Sequence, residues 1–399
     1  NFSGNPNSGV YAFKVRPKGA GFELERNDRF WWNFLPTDVD FGYDGCLYAT
    51  DWINGWPGTG KGRLYRLYEP TERNQPAVAG LKQLIAGGFD SLSTAVLGKL
   101  LAHQDRRVRQ EAQFALVARQ AIAELYVTAL RGATLPARLH AIWGLGQLDR
   151  RGVRTDFKEL LADSQAEVRA QTAKVLGDAK DDRYPSQLAR LLADPDARVR
   201  YFVALALGKL GDRRSVAPVL VMLRQSGNDP WLRHAGVMAL EGCADEATLA
   251  GLAKDGSVNV RLAAVIALRH RGSPKLELFL ADQEAVVVAE AARVINDLPV
   301  VEALPGVAAL AENLGRIAAF SAGTPEQPGP RDAILRRIVN ANWRLGALNS
   351  ELRLAAIIAD PRLPEAVRLE AVTAFNDWAS PNGKDRVTGL WRPLLPRSG

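Results

Sequence analysis

The stretch Asp194-Pro195-Asp196-Ala197-Arg198-Val199-Arg200-Tyr201-Phe202-Val203-Ala204-Leu205-Ala206-Leu207-Gly208-Lys209-Leu210-Gly211 decides how this chain folds. Its apolar residues Val199, Phe202, Val203, Ala206, Leu207 and Leu210 fall at offsets 0, 3, 4, 7, 8 and 11, which trace one stripe along an α-helix. Asp194 and Pro195 read as an N-cap acid and a first-turn proline, and Gly211-Asp212 as the stop. A helix with one apolar stripe needs a neighbour to cover it.

The neighbours are written into the sequence. The same stripe restarts at Val108, Ala137, Val168, Leu232, Val260 and Val287, and again at Leu335 and Val367. From 108 to 287 the starts are separated by 29, 31, 31, 33, 28 and 27 residues. A period near 30, with two helices per unit, predicts a mostly α fold, an α-solenoid in which each helix pair is sheltered by the next. The interval from 287 to 335 is longer and contains Ser321-Ala322-Gly323-Thr324-Pro325-Glu326-Gln327-Pro328-Gly329-Pro330, a flexible loop by composition.

The first 70 residues have a different period. Val10–Val15, Phe22–Glu25, Val39–Phe41, Cys46–Trp52 and Arg63–Tyr68 are short β-branched or aromatic runs, separated by Pro17-Lys18-Gly19, Tyr43-Asp44-Gly45 and a Gly/Pro loop from Asn54 to Gly62. Four or five strands are too few to bury both faces of a sheet. The expected organisation is a β segment over 1–70, a helical array over 71–320, a loop over 321–330 and terminal helical repeats over 331–399.

Composition agrees with a large globular chain: 399 residues, 47% hydrophobic and 24% charged. No run reaches the roughly 18 apolar residues of a membrane-spanning helix, so no membrane span is expected. Two cysteines, Cys46 and Cys243, exclude a disulfide scaffold, a cysteine-ligated zinc site and an iron–sulfur cluster. The chain starts at Asn1 with no charged-plus-apolar leader, which points to a fragment or a processed chain.

The net charge of +7 is spread thinly, with eight basic and eight acidic side chains in residues 1–70 and eleven against seven in 331–399. No basic stripe stands out, so nucleic acid is not the expected partner. Arginine dominates the cations (39 of 51), which favours bidentate pairing with carboxylates. Arg109, Arg138, Arg169, Arg200, Arg233, Arg261, Arg336 and Arg368 each follow the first residue of a stripe, and Asp163, Asp194 and Asp255 stand six positions before three of them. The structural expectation is a ladder in which guanidinium groups bridge carboxylates and carbonyls between adjacent repeats. The functional alternative is a row of arginines that binds an acidic partner.

Other motifs read as structure. Gly55-Trp56-Pro57-Gly58-Thr59-Gly60-Lys61-Gly62 approaches a phosphate-binding loop but lacks the hydroxyl at its last position and the helix that should follow. Asp38, Asp40, Asp44 and Asp51 do not have calcium-loop spacing. Phe30-Trp31-Trp32, Trp52 and Trp56 are expected as core or an open blade face. His140 lies on an apolar stripe as a core imidazole, His103 and His270 lie near helix ends, and His234 sits beside the Leu232 stripe. No His-Glu pair occurs, which argues against the diiron HEAT-repeat hydroxylases, and no nucleophile–base set can be assembled.

Residues 194–200 and their helix resemble HEAT-like repeats of the short phycobilisome-lyase type. Residues 35–52 and 58–67 resemble the last blade of a glucose/sorbosone dehydrogenase-like β-propeller. The order is similar to that of large dehydrogenase-like proteins of planctomycetes and verrucomicrobia, whose later segments Leu335–Asn342 and Asp385–Leu390 also resemble and which usually end in a cytochrome c domain. The resemblance implies a periplasmic or envelope location and an intact parent that is a quinone-dependent oxidoreductase. It carries no catalytic residue, metal ligand or cofactor onto this chain. The expected function is a non-catalytic scaffold or spacer that holds a protein partner or adjacent domains. The alternatives are part of a quinone-dependent sugar or alcohol dehydrogenase, or a HEAT-type nucleic-acid-binding protein.

Overall fold

A computed structural model describes residues 8–52, 60–324 and 329–397. Strands β1 (Gly9–Lys18) and β2 (Gly21–Trp32) form an antiparallel ribbon that turns at Gly19, whose φ of 57° suits glycine. Strands β3 (Pro36–Phe41), β4 (Leu47–Trp52) and β5 (Gly62–Leu67) form a separate antiparallel meander. All five strands fall where the sequence places runs, but β2 extends through Phe30, Trp31 and Trp32. The two small sheets do not close into a barrel or propeller. A two-stranded ribbon shelters neither of its faces, and Tyr11, Phe13, Val15, Phe22 and Leu24 are exposed.

Among the described residues, the regular elements after the meander are helices, and the chain after Asn376 is irregular apart from a Lys384–Trp391 bridge. The chain divides into two compact units, residues 1–181 with 195–199 and residues 182–194 with 200–399. In the first unit the strands are followed by α1 (Pro70–Arg73), α2 (Pro76–Gly87), α3 (Thr94–Leu100), α4 (Arg106–Ala118), α5 (Ile122–Arg131), α6 (Leu135–Arg150), α7 (Lys158–Leu161) and α8 (Ala166–Ala179). The pairs α3/α4, α5/α6 and α7/α8 pack internally, and α6 packs on both α4 and α8. Arg107 ties the meander to this array: it donates to the Phe41 carbonyl at 2.6 Å, and its guanidinium lies over the Tyr43 ring.

The second unit opens with α9 (Pro185–Leu191) and contains α10 (Ala197–Leu210) from residue 200 onward. Then come α11 (Val216–Arg224), α12 (Pro230–Cys243), α13 (Glu246–Gly251), α14 (Val258–His270) and α15 (Ala285–Asp297). Next are α16 (Leu304–Ala309), α17 (Leu314–Ala318), α18 (Pro330–Leu345), α19 (Leu348–Ala359) and α20 (Glu365–Asn376). Again α12 packs on α14, α14 on α15, α15 on α18 and α18 on α20. The architecture is an α-solenoid of helix pairs.

Each predicted stripe is a helix whose leading residues are buried, including Val108, Ala137, Val168, Val199, Leu232, Val260, Val287, Leu335 and Val367. Small residues set how closely the helices approach. A Cβ on Gly242 would collide with the backbone of Gly208, and Cys243 donates its thiol to the Leu207 carbonyl at 3.3 Å.

Three local expectations change. The cap of α10 is Asp196, whose Oδ1 accepts from the N–H groups of Arg198 and Val199, and Pro195 lies outside the helix. Leu298, eleven residues after Val287 and on the same sequence stripe, is exposed because α15 ends at Asp297. The long interval before Leu335 contains α16 and α17, each too short to show a full stripe, and both pack on α18. Within the expected loop at 321–330, residues 325–328 lie outside the described residues.

Candidate functional site

The arginine row has a local rule. Arg109 donates to the His103 carbonyl, Arg169 to that of Asp163, Arg200 to that of Asp194 and Arg261 to that of Asp255, all six residues back at 2.6–2.7 Å. These carbonyls belong to the turn entering each stripe helix, so the cation satisfies acceptors that no helix hydrogen bond reaches. The acids six positions earlier therefore offer their main chain to their own arginine. The carboxylates of Asp163 and Asp255 turn elsewhere. Asp163 pairs with Arg138 and accepts from Gln165 N–H at 2.8 Å, while Asp255 pairs with Arg224 at 2.6 Å and accepts from Ser257 N–H. Asp194 is buried.

Arg138 and Arg261 make the forward links of such a ladder. Arg138 bonds the Ala129 carbonyl and the Asp163 carboxylate, and Arg261 grips Asp282 with Nε at 2.6 Å and Nη2 at 3.1 Å. Beyond Val287 the register slips by one. Arg336 is exposed and its neighbour Arg337 holds Asp297 at 2.6 Å. The Nε of Arg368 is buried and finds no hydrogen-bond partner among the described residues.

Sequence reasoning missed a second set of links. Arg198 pairs with Glu167 at 2.7 Å, and Arg224 with Asp255, each across 31 residues. Opposite charges one period apart were the available signal. In the first unit these links join a polar chain along the stripe helices. Buried Gln113 accepts from Nδ1 of His140 at 2.8 Å, and His140 meets Trp143 edge-on. Trp143 Nε1 donates to Gln171 at 2.9 Å, and Gln171 donates to Glu167. Burial, then the charge of Arg109, lowers the His140 pKa to about 4, so the imidazole is neutral and donates from Nδ1.

Arg233 departs from the rule. Its acceptor six residues back would be the Gly227 carbonyl, but Asn259 Nδ2 occupies that carbonyl at 2.8 Å and also bonds Ser226 Oγ. The Arg233 side chain has no hydrogen bond or ion pair among the described residues. It lines a cleft of about 590 Å³ with Asn228, Ser257, Asn259, Leu262, Val286 and Glu290.

The remaining motifs serve as structure. Asp44 accepts from Cys46 N–H and from the Tyr48 hydroxyl, and Asp51 from Leu35 N–H. Trp31 packs on Phe34 and Tyr65, whereas Phe30 and Trp52 are exposed. Most of the glycine-rich segment 55–62, with Trp56, lies outside the described residues, and the chain resumes as strand β5. His103 Nδ1 accepts from Asp105 N–H, His270 pairs with Glu241 and His234 is exposed. Among the described residues no three His, Cys, Asp or Glu side chains gather as metal ligands, and no helix is long and apolar enough to cross a membrane.

Residues 155–241 match the family model of HEAT repeats. The chain carries HEAT-like repeats. No curated protein matches it. Among solved structures, human deoxyhypusine hydroxylase in complex with glycerol is 22% identical, with a TM-score of 0.25, covering 66% of this chain and 98% of that one. The archaeal HEAT-like repeats protein from Thermococcus onnurineus NA1 is 12% identical, with a TM-score of 0.28, covering 72% and 97%. A designed armadillo repeat protein in complex with the peptide (KR)4 is 15% identical, with a TM-score of 0.17, covering 72% and 100%.

Proposed function

We propose that this HEAT-like array is a non-catalytic scaffold that holds a protein partner or an adjacent domain. One observation carries this reading most directly: the titratable groups that the sequence singles out are largely engaged in holding turns and joining repeats. Arg109, Arg169, Arg200 and Arg261 each seat on a turn carbonyl, and Arg138 and Arg261 each bind a carboxylate of the next turn. Repeat arrays of this kind present their helix faces to other macromolecules.

The finer context rests on the sequence resemblance alone. In that context the array belongs to a dehydrogenase-like envelope protein, located in the periplasm, with no cofactor of its own, and the meander is the remnant of a propeller blade. The competing enzyme reading puts a quinone-dependent sugar or alcohol oxidation in the intact parent.

The test uses the full chain. Cross-linking in extracts of the source cells, followed by peptide mapping, should place one recurrent partner on the stripe helices. Incubation with a quinone acceptor and a panel of sugars and alcohols should give no oxidation above blank. Turnover would transfer the function to the enzyme reading. Binding to duplex DNA that weakens steeply with salt would transfer it to nucleic acid.

A further inference from the structure

We infer that the cleft at Arg233 is a docking site for an acidic peptide segment of the partner, with a partner carboxylate seated on the Arg233 guanidinium. The inference rests on the scaffold reading and specifies the chemistry of what is held.

One repeat position differs between two copies. Arg200 and Arg233 both follow the first stripe residue of their helix, and both have a turn carbonyl six residues earlier. Arg200 uses that carbonyl at 2.6 Å. Arg233 does not, because Asn259, reaching back from the first turn of α14, holds the Gly227 carbonyl at 2.8 Å. Asn259 occupies the place in its repeat that Arg198 has in the α10 repeat, immediately before the stripe residue. A shorter neutral side chain there takes over the structural bond and leaves a cation one helix away without a structural partner.

That cation is half-buried at the edge of a cleft, and its surroundings are suited to a peptide. Asn228 and Ser257 add polar groups that can pair with a peptide backbone. Val258, Leu262, Ile266 and Val286 form an apolar floor, with Val286 46% exposed. Glu290 is the acid in this lining, and Arg293 already grips both of its carboxylate oxygens. A carboxylate entering at Arg233 therefore meets an unpaired positive charge, and apolar side chains beside it meet the floor. Burying an arginine–carboxylate pair beside an apolar contact is how a few residues come to dominate an interface.

The test is a binding measurement on the full chain. A labelled decapeptide of alternating glutamate and leucine should bind, and its counterpart with glutamine in place of glutamate should bind at least about tenfold more weakly. Arg233→Met should weaken the acidic peptide by the same factor while leaving the melting temperature within about a degree, as expected for a side chain with no structural partner. Arg233→Lys should restore part of the binding. Equal affinity for the two peptides, or an Arg233→Met protein that binds as the wild type does, overturns the site. So does displacement of the peptide by inorganic phosphate or duplex DNA at concentrations at which acetate has no effect. A recurrent cross-linked partner mapped away from 227–290 would sink this site and leave the scaffold standing, whereas the absence of any recurrent partner sinks the scaffold reading itself.

Discussion

Asn340 on α18 donates its amide to Asp385 Oδ2 at 3.0 Å, and the same amide nitrogen donates to Asn296 Oδ1 at 2.9 Å. Asn340 Oδ1 in turn accepts from Arg386 N–H at 3.1 Å. All three side chains are buried, and Asp385 Oδ1 also accepts from Val387 N–H, Thr388 N–H and the Thr388 hydroxyl. The network pins the irregular chain after α20 onto α15 and α18. Burial pushes the Asp385 pKa up, but the hydrogen bonds from Thr388, Asn340 and Val387 outweigh it and hold the carboxyl below its ordinary value. Replacing Asn340 with Leu would take the amide donor from Asp385 Oδ2 and from Asn296 Oδ1, and the acceptor from Arg386 N–H. The expected loss is about 3 kcal/mol of stability, read by urea denaturation, with Asp385→Asn losing a similar amount. A loss below about 0.5 kcal/mol for both would mean the network contributes little.

Arg200 and Arg233 give a paired prediction. Arg200→Ala removes the donor for the Asp194 carbonyl and should destabilise by about 1–2 kcal/mol. Arg233→Ala should stay within about 0.5 kcal/mol of wild type, since it removes no bond. Differential scanning fluorimetry of the two variants side by side checks the contrast. Equal losses would mean that Arg233 has a structural role after all.

The Gly208–Gly242 crossing predicts an outcome of the opposite chemical kind. Ala is the better helix former, so Gly242→Ala on an exposed helix would gain up to about 1 kcal/mol. Here the added methyl meets the Gly208 backbone, which cannot swing aside as a side chain can. The helices must separate, and the thiol bond from Cys243 to Leu207 lengthens with them. The expected result is a net loss of about 2–3 kcal/mol by chemical denaturation, as for other overpacked cores. A neutral or stabilised variant would show that the crossing has slack.

The stripes were legible because each is a statement about consecutive residues: offsets of 3, 4 and 7 from Val108 or Val199 place side chains on one face whatever the rest of the chain does. The arginines were legible as a series for the same reason. Their partners were not. The turn carbonyl that Arg200 uses carries no letter in the sequence, and the clasp between Asn340 and Asp385 spans 45 residues with no periodic pattern to mark it. Arg233 reads like Arg200 in the sequence. Only the structure shows that Asn259 takes its acceptor. Links such as Arg198–Glu167 lay between these extents, since their spacing of 31 residues equals the repeat period.

His140 turns the buried polar chain of the first unit into a pH-dependent element of stability. In the folded chain its pKa is lowered to about 4, first by desolvation and then by Arg109, whereas an exposed histidine titrates near 6.5. The folded state therefore keeps the ring neutral while the unfolded state takes up a proton. Stability is fully present above about pH 6.5, declines as the pH falls toward 4, and loses no more from this group below that. The difference between the two values corresponds to at most about 3 kcal/mol. A glutamine at this position can still donate to Gln113 Oε1 but has no titration, so the melting temperature of His140→Gln should fall less than that of wild type between pH 7 and 4.5. Carboxylates titrate mostly below this window and affect both proteins alike. Parallel melting curves for the two proteins across that range would show that the imidazole takes up its proton equally well folded and unfolded.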